Sequence, residues 1–251
     1  MDAPVVPDTV PSSFAPTPRI GGGARRKAPW IIAGVAVLAA ALGFVVASGG
    51  SPASQRAIAA AINLRSPDLP GFRLSSAGSG GVTFGGESGS LFKRCWGSDN
   101  TGLSGINSPT FDAGSALQTE SVSSNVAVAS SPGAVVSDLA LARSALLRSC
   151  IVQAWDSVTF TQTGVQGGFS GAQITSLSVP MAQADTSVGL RMTAMLNVES
   201  VSLPIYVDIY GFGVGRTEVT LTTFGAAQPV PVATEQRLSA LLVSRAIAQP
   251  H

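Results

Sequence analysis

SVGLRMTAMLNV, residues 187–198, alternates strictly between two kinds of side chain. Successive side chains of a β-strand point to opposite faces, so a period of two indicates a strand with one buried face. The face expected to be buried consists of Val188, Leu190, Met192, Ala194, Leu196 and Val198. The other face consists of Ser187, Gly189, Arg191, Thr193, Met195 and Asn197. Such a long half-buried strand predicts an antiparallel sheet.

Two more strands follow and are joined by a glycine turn. Residues 205–212 (IYVDIYGF) predict the first strand, residues 213–215 (GVG) the turn, and residues 216–224 (RTEVTLTTF) the returning strand. Alternation divides the returning strand into inward Val219 and Leu221 and outward Glu218, Thr220 and Thr222. Long strands joined by short turns are typical of an antiparallel meander.

A further strand and three helices complete the predicted domain. Residues 117–129 alternate, with Val122, Ser124, Val126 and Val128 on one face and Ser121, Ser123, Asn125 and Ala127 on the other. One predicted helix covers residues 55–63 and is capped by Ser54. A second begins at Ser131-Pro132, with Ser131 as its cap, and ends near Cys150. A third covers residues 234–248, with Thr234 as its cap. We therefore expect an α+β domain over residues 55–251, in which helices pack on a curved antiparallel sheet.

An apolar run, WIIAGVAVLAAALGFVVA at residues 30–47, lies before this domain and holds no charged residue. As a helix it would be about 27 Å long, enough for the hydrocarbon core of a bilayer. We expect one transmembrane helix over residues 28–48, between a disordered tail at residues 1–27 and a linker at residues 49–54. A cleaved signal peptide is the alternative, although its apolar part would be unusually long.

The charges that flank the apolar run predict its orientation. Arg25, Arg26 and Lys27 precede it directly, and the next charge after it is Arg56. Because basic residues favour the cytoplasmic side, the N-terminus is expected in the cytoplasm. The domain is then expected outside the plasma membrane.

Charge and cysteine content limit the partners of the domain. The chain has 15 Lys and Arg against 14 Asp and Glu, a formal net charge of +1. Nucleic-acid binding needs a basic patch, which this balance does not predict, so we expect no nucleic acid partner. Cys95 and Cys150 are the two cysteines. An even number outside the cell favours a disulfide over two buried thiols.

Residues that could carry out catalysis are few. The single histidine is His251, the last residue, so His-dependent triads and His-based metal sites are not expected. Residues 168–172 (GFSGA) are similar to a nucleophile elbow but lack its last glycine and a histidine to activate Ser170. We expect no catalytic residue, no cofactor and no metal.

One polar site can be built on the predicted hairpin. Tyr206, Asp208 and Tyr210 share a strand face, and Arg216 lies on the returning strand. These four residues form a candidate polar face for a ligand. The alternative is an exposed sheet face on which Asp208 and Arg216 form an ion pair.

Several segments carry a resemblance to a known group of proteins. They are Ile62-Asn63-Leu64-Arg65 before Asp68-Leu69-Pro70-Gly71-Phe72, the helix end Leu146-Leu147-Arg148-Ser149-Cys150, and the hairpin from Asp208 to Leu221 before a C-terminal helix. Together they resemble the extracellular sensor domain of mycobacterial membrane Ser/Thr kinases and related actinobacterial cell-wall lipoproteins, over roughly residues 55–248. The resemblance implies a sandwich-like α+β fold with a ligand-binding cleft and no catalysis in the domain.

Two features depart from that group. Only the short tail at residues 1–27 precedes the predicted membrane helix, where a kinase would stand. The chain has two cysteines, where the resemblance implies two bridges. We expect a non-catalytic, membrane-anchored domain that binds a small or lipidic envelope ligand. The alternative is a structural subunit that docks onto another protein of the cell envelope.

Overall fold

The computed structural model of the protein describes residues 53–75, 95, 105–115, 118–162, 165–179 and 183–249. The tail at residues 1–27, the predicted transmembrane helix and the linker up to residue 52 lie outside them. Within the described ranges, no helix has both the length and the apolar character needed to cross a bilayer. The described residues form a mixed α+β structure with an antiparallel sheet, as the periodicities predict.

Nine strands of the described chain form one sheet, in the order β1-β3-β4-β9-β8-β7-β6-β5, with β2 also paired to β4. Their bounds are β1 Arg73–Leu74, β2 Gly105–Asn107, β3 Phe111–Ser115, β4 Gln118–Val128, β5 Thr159–Gln162, β6 Val165–Ser176, β7 Thr186–Val198, β8 Val201–Val214 and β9 Thr217–Ala226. Neighbouring strands run antiparallel. Strands β4, β7, β8 and β9 are those that alternation predicts.

Four α-helices lie in the described ranges: α1 Ala53–Ile62, α2 Pro132–Ala142, α3 Ala145–Asp156 and α4 Val232–Ile247. A short 3-10 turn at Ser66–Asp68 follows α1. The prediction of one helix from Pro132 to near Cys150 is wrong, because the first helix ends before Arg143 and a second begins at Ala145. Ser144 adopts an extended conformation and its side chain accepts a hydrogen bond from the Leu147 amide, which caps α3.

Helix starts also differ from the predicted caps in two places. Helix α1 begins at Ala53, so Ser54 lies inside it. Helix α4 begins at Val232 with Pro231 at the cap position, so Thr234 lies in its first turn. The predicted cap at Ser131 is confirmed, since its side chain accepts a hydrogen bond from the Ala134 amide and Pro132 follows it.

Both faces of the sheet are packed against helices. One face packs on α1 and α4 and is called the α4 face; its core includes Phe111, Val122, Val126, Phe212, Val219, Leu221, Leu238 and Leu242. The opposite face packs on α2 and α3 and is called the α3 face; its core includes Leu147, Ile151, Trp155, Met192, Ala194, Leu196, Val207 and Phe224. On the α3 face the rings of Trp155 and Phe169 meet edge to face, with centroids 4.6 Å apart.

This double packing corrects one prediction about the returning strand. All ten residues of β9 are buried, including Glu218, Thr220 and Thr222, which alternation predicts to face water. The reason is that β9 lies centrally in the sheet, between β4 and β8, with helices over both faces. A threonine can occupy such a buried strand position, so the polar half of the pattern did not mean exposure.

Candidate functional site

A cluster of polar side chains lies between α4 and the sheet. It consists of Arg191 on β7, Asp208 and Tyr210 on β8, Thr223 on β9 and Glu235 in the first turn of α4. The strand register places Arg191 opposite Asp208, and Asp208 opposite Thr223, so their side chains share the α4 face. The register, together with one helical residue, brings together groups that are far apart in the sequence.

Arg191 and Asp208 form a bidentate ion pair. The Nε of Arg191 donates to Oδ1 of Asp208 at 2.7 Å, and Nη2 donates to Oδ2 at 2.5 Å. The Asp208 side chain is 1% exposed whereas that of Arg191 is 23% exposed, so the pair spans from the interior to solvent. The hydrogen bonds that Arg191 donates to Asp208 raise the pKa of Arg191, which therefore stays charged.

Glu235 lies on the inner side of this pair. Tyr210 donates its hydroxyl to Oε2 of Glu235 at 2.8 Å, and Thr223 donates to Oε1 at 2.6 Å. Burial raises the pKa of Glu235 to about 7, and Asp208 adds to the rise, while the bonds from Thr223 and Tyr210 oppose it. Burial and the neighbouring Glu235 raise the pKa of Tyr210, so its hydroxyl remains a donor.

Beside the cluster, the α4 face continues as a partly exposed surface over β6, β7 and the first half of β8. Helix α4 packs on β8 and β9, and this surface lies mostly on the neighbouring strands. We call it the open floor and define it by Gln173, Thr175, Thr193, Met195 and Tyr206. Gln173, Thr175 and Met195 are exposed, and Thr193 and Tyr206 are half-buried. Tyr206 pairs with Thr193, which pairs with Gln173, so these side chains point to one side.

The four residues of the predicted polar face are not all brought together. Asp208 and Tyr210 lie in the cluster, and Tyr206 lies on the open floor. Arg216 lies beside the turn between β8 and β9, where its Nε donates to the carbonyl of Ala129 at 3.0 Å. The predicted ion pair of Asp208 with Arg216 is therefore wrong, because the strand register places Asp208 opposite Arg191 instead. The idea of an exposed pair is also wrong, since Asp208 is buried.

Sequence reasoning missed Arg191, Thr223 and Glu235 as members of the site. Alternation had placed Arg191 on the polar face of residues 187–198, which was the available signal. The partner of Arg191 depends on the register between β7 and β8, which the sequence of neither strand alone predicts. Ligand binding by the predicted face of Tyr206, Asp208, Tyr210 and Arg216 stays a prediction.

A second carboxyl pair lies on the α3 face, between α2 and β9. Glu218 is 5% exposed, and its Oε2 finds no hydrogen-bond partner among the described residues. Burial raises the pKa of Glu218 to about 9, and the nearby Asp138 on α2 adds to the rise. Burial also raises the pKa of Asp138. Each carboxyl group therefore influences the pKa of the other.

The predicted disulfide is confirmed. Cys95 is bonded to Cys150, with Cα atoms 5.6 Å apart and a separation of 55 positions in the sequence. Cys150 lies in the middle of α3, not near the end of a longer helix. The bridge therefore ties α3 to the part of the chain around residue 95.

Two further observations bear on possible chemistry. Over the described ranges, no three side chains of His, Cys, Asp or Glu are grouped so that they could hold a metal ion. Ser170 is exposed within β6, and its Oγ accepts a hydrogen bond from Asn197 at 2.8 Å. A serine on a strand surface differs from the strand-to-helix turn of a nucleophile elbow.

No protein-family model matches the chain, and no curated protein matches it in sequence. Among solved structures, the chain is similar to the extracellular domain of PknH from Mycobacterium tuberculosis. The identity is 10% and the TM-score is 0.34, over 62% of this chain and 70% of that one.

Proposed function

We propose that the chain is a non-catalytic, single-pass membrane protein whose extracytoplasmic domain binds a small or lipidic molecule of the cell envelope. The observation that carries this proposal is the open floor beside Arg191. A sheet face that is covered by a helix on one half and left partly exposed on the other has an exposed margin beside that helix at which a ligand can bind. A charged side chain fixed at that margin can orient what binds there.

The compartment is supported by two observations. A disulfide forms and persists in oxidising surroundings outside the cytoplasm. The basic residues before the apolar run at residues 30–47 favour a cytoplasmic N-terminus, with the domain beyond the plasma membrane. Both support the same topology, one from the domain and one from the anchor.

The exposure of the polar cluster supports binding over catalysis. Asp208 and Glu235 are each 1% exposed and already hydrogen-bonded within the cluster, so a substrate has no access to their carboxyl groups. The member that reaches solvent is Arg191. A guanidinium binds and orients an acceptor but does not exchange a proton near neutral pH.

The test is native mass spectrometry of the full chain, extracted unreduced from its own host's membranes in a neutral detergent. We expect an adduct of reproducible mass that disappears when the protein is denatured. A chain that carries no adduct under several extraction conditions would count against ligand binding. The denatured spectrum of the same sample is the internal control, because it gives the mass of the chain alone.

A second candidate function is an interaction subunit, favoured by apolar side chains on the helices of the α3 face. Leu146 on α3 is 82% exposed and Val136 on α2 is 49% exposed. Exposed apolar residues of this size are common in contacts between proteins. If a partner protein docks there, Leu146→Asp should release it, whereas the adduct expected from the open floor should be unaffected.

A further inference from the structure

We infer that the open floor binds a hydroxylated monoanion, whose anionic group is held by Arg191. This inference rests on the proposed ligand-binding function and specifies the chemistry of the ligand. It follows from the way the guanidinium is fixed, from the charges around it and from the side chains that line the floor. A sugar acid is the simplest molecule of this class, and the headgroup of an anionic lipid is a larger one.

Asp208 fixes the guanidinium without using all of its donors. A guanidinium has five N–H groups, and Asp208 accepts one from Nε and one from Nη2. Among the described residues, no hydrogen bond is made by Nη1. The edge formed by Nη1 and Nη2 is therefore available to an acceptor. Planar two-point contact with a carboxylate or phosphate is the interaction for which this edge is suited.

Asp208 is buried behind Arg191 and therefore presents no negative group at the surface where an anion would bind. Its side chain is 1% exposed and both of its oxygens already bind Arg191. Glu235 is also 1% exposed and lies behind the pair. The negative groups of the cluster thus lie on its buried side, and the guanidinium forms the side that faces solvent. An incoming anion meets the positive group first.

The open floor next to Arg191 is rich in hydroxyl groups. Thr175 pairs directly with Arg191 across β6 and β7, and Thr193 pairs with Tyr206 across β7 and β8. These hydroxyls can both donate and accept hydrogen bonds. Met195 is 36% exposed beside them and adds an apolar contact. A molecule that carries one anionic group on a hydroxylated body would satisfy both kinds of surface.

The experiment uses the full chain in a neutral polyoxyethylene detergent, titrated calorimetrically with glucuronate near pH 6. Glucose is the matched uncharged probe. We expect glucuronate to bind and glucose to bind about tenfold to a hundredfold more weakly, the loss expected for a hydrogen bond to a charged group. A pH below about 7 keeps Glu235 mainly neutral during the titration.

Two variants test whether Arg191 is the anchor. Arg191→Lys keeps the charge and a partner for Asp208 but loses the planar edge, so glucuronate should bind more weakly by about tenfold. Arg191→Gln combined with Asp208→Asn removes both charges without leaving one buried and unpaired, and should abolish the preference for glucuronate over glucose. Arg73→Gln is the control, since it removes one exposed positive charge on β1 and should change nothing.

Lipid and free ligand are distinguished by adding phosphatidylglycerol or phosphatidylcholine to the micelles. Competition with glucuronate by phosphatidylglycerol alone would assign the site to an anionic headgroup, and no competition would assign it to a soluble acid. Equal binding of glucuronate in wild type and both Arg191 variants would overturn the inference, as would the absence of any binding by either anion. An uncharged adduct in the native spectrum would then leave the proposed function intact, whereas the absence of any adduct would count against both.

Discussion

At the scale of single residues, Glu218 is the side chain whose environment is least expected from its chemistry. It is 5% exposed on a central strand and faces Asp138, with its pKa raised to about 9. A carboxyl group whose pKa is higher in the folded than in the unfolded chain binds more protons when folded. Its contribution to stability is complete below the ordinary pKa of 4.5 and is lost as pH rises towards about 9.

Replacing this carboxyl group by an amide should remove its pH dependence. At pH 8, we expect Glu218→Gln to raise the free energy of unfolding by about 1–3 kcal/mol, because folded wild type keeps Glu218 protonated at a pH where the unfolded chain has lost that proton. The advantage should shrink towards pH 5, which is close to the ordinary pKa of 4.5 in the unfolded chain. Urea unfolding of the full chain, followed by tryptophan fluorescence at both pH values, measures it.

The control for this prediction is Glu199→Gln, which changes an exposed glutamate in the turn between β7 and β8. It should alter the unfolding free energy little at either pH. The unfolding free energy of Glu218→Gln should still fall as pH rises, but less steeply than that of wild type, because Glu235 also loses its proton near pH 7. If Glu218→Gln is less stable than wild type at pH 8, the raised pKa of Glu218 is refuted.

At the scale of elements, helix α4 is held to the rest of the domain at both of its ends. Glu235 in its first turn binds Tyr210 and Thr223 of the sheet. Arg245 in its last turn binds the carboxylate of Asp68 at 2.7 and 2.8 Å. Its Nη1 also donates to the carbonyl of Asn63 at 3.1 Å, just beyond α1. Arg245 therefore joins α4, the end of α1 and the 3-10 turn.

Removing Arg245 should loosen this junction. We expect Arg245→Ala to lower the unfolding free energy by about 2 kcal/mol, because several charge-assisted hydrogen bonds are lost and Asp68 keeps a partly buried charge. Arg237→Ala is the matched control on the same helix. Arg237 is exposed and donates one hydrogen bond, to the carbonyl of Asp68, so its loss should cost less than about 1 kcal/mol.

The two arginine variants are compared by urea unfolding of the full chain near pH 7. The Arg245 pair brings down the pKa of Asp68 against the opposing effect of burial. Wild type should therefore lose part of its advantage over Arg245→Ala in acid, as Asp68 becomes protonated. Equal costs for the two variants would show that the junction adds nothing beyond an ordinary surface contact.

At the scale of the whole molecule, the disulfide is the strongest covalent constraint on the described chain. It joins two residues that are 55 positions apart and fixes α3 to the segment that contains Cys95. In the chain-entropy description, closing a loop of this length stabilises the folded state by about 4 kcal/mol. The constraint acts mainly by limiting the unfolded chain.

We expect the double variant Cys95→Ala with Cys150→Ala to lower the unfolding free energy by about 4 kcal/mol. Thermal unfolding of the full chain, with and without a reducing agent, measures this. Reduced wild type should approach the variant, and the variant itself should not respond to the reducing agent. A variant as stable as the oxidised wild type would show that the bridge does not constrain the unfolded chain.

Alternation and helical spacing predicted most of the long elements. Strands β4, β7, β8 and β9 lie where the period of two indicates them, and the helices lie where apolar residues recur at helical spacing. Strand β6 was missed because Gly167, Gly168 and Gly171 interrupt its pattern and a bulge shifts its register between Ser170 and Gln173. Gly171 has a φ of +65°, a conformation that breaks the alternation expected of a strand.

The sequence by itself determined the class of the fold and the direction of the side chains on β7 and β8, and it favoured the pairing of its two cysteines. The first two depend on local backbone geometry, and the third depends on the number of cysteines. Only the tertiary structure decided that Arg191 is the partner of Asp208, that Glu235 completes the cluster, and that Glu218 is buried. Strand neighbours and helix placement arise from contacts between distant segments. A local pattern sets which way a side chain points, but what it meets there depends on the whole chain.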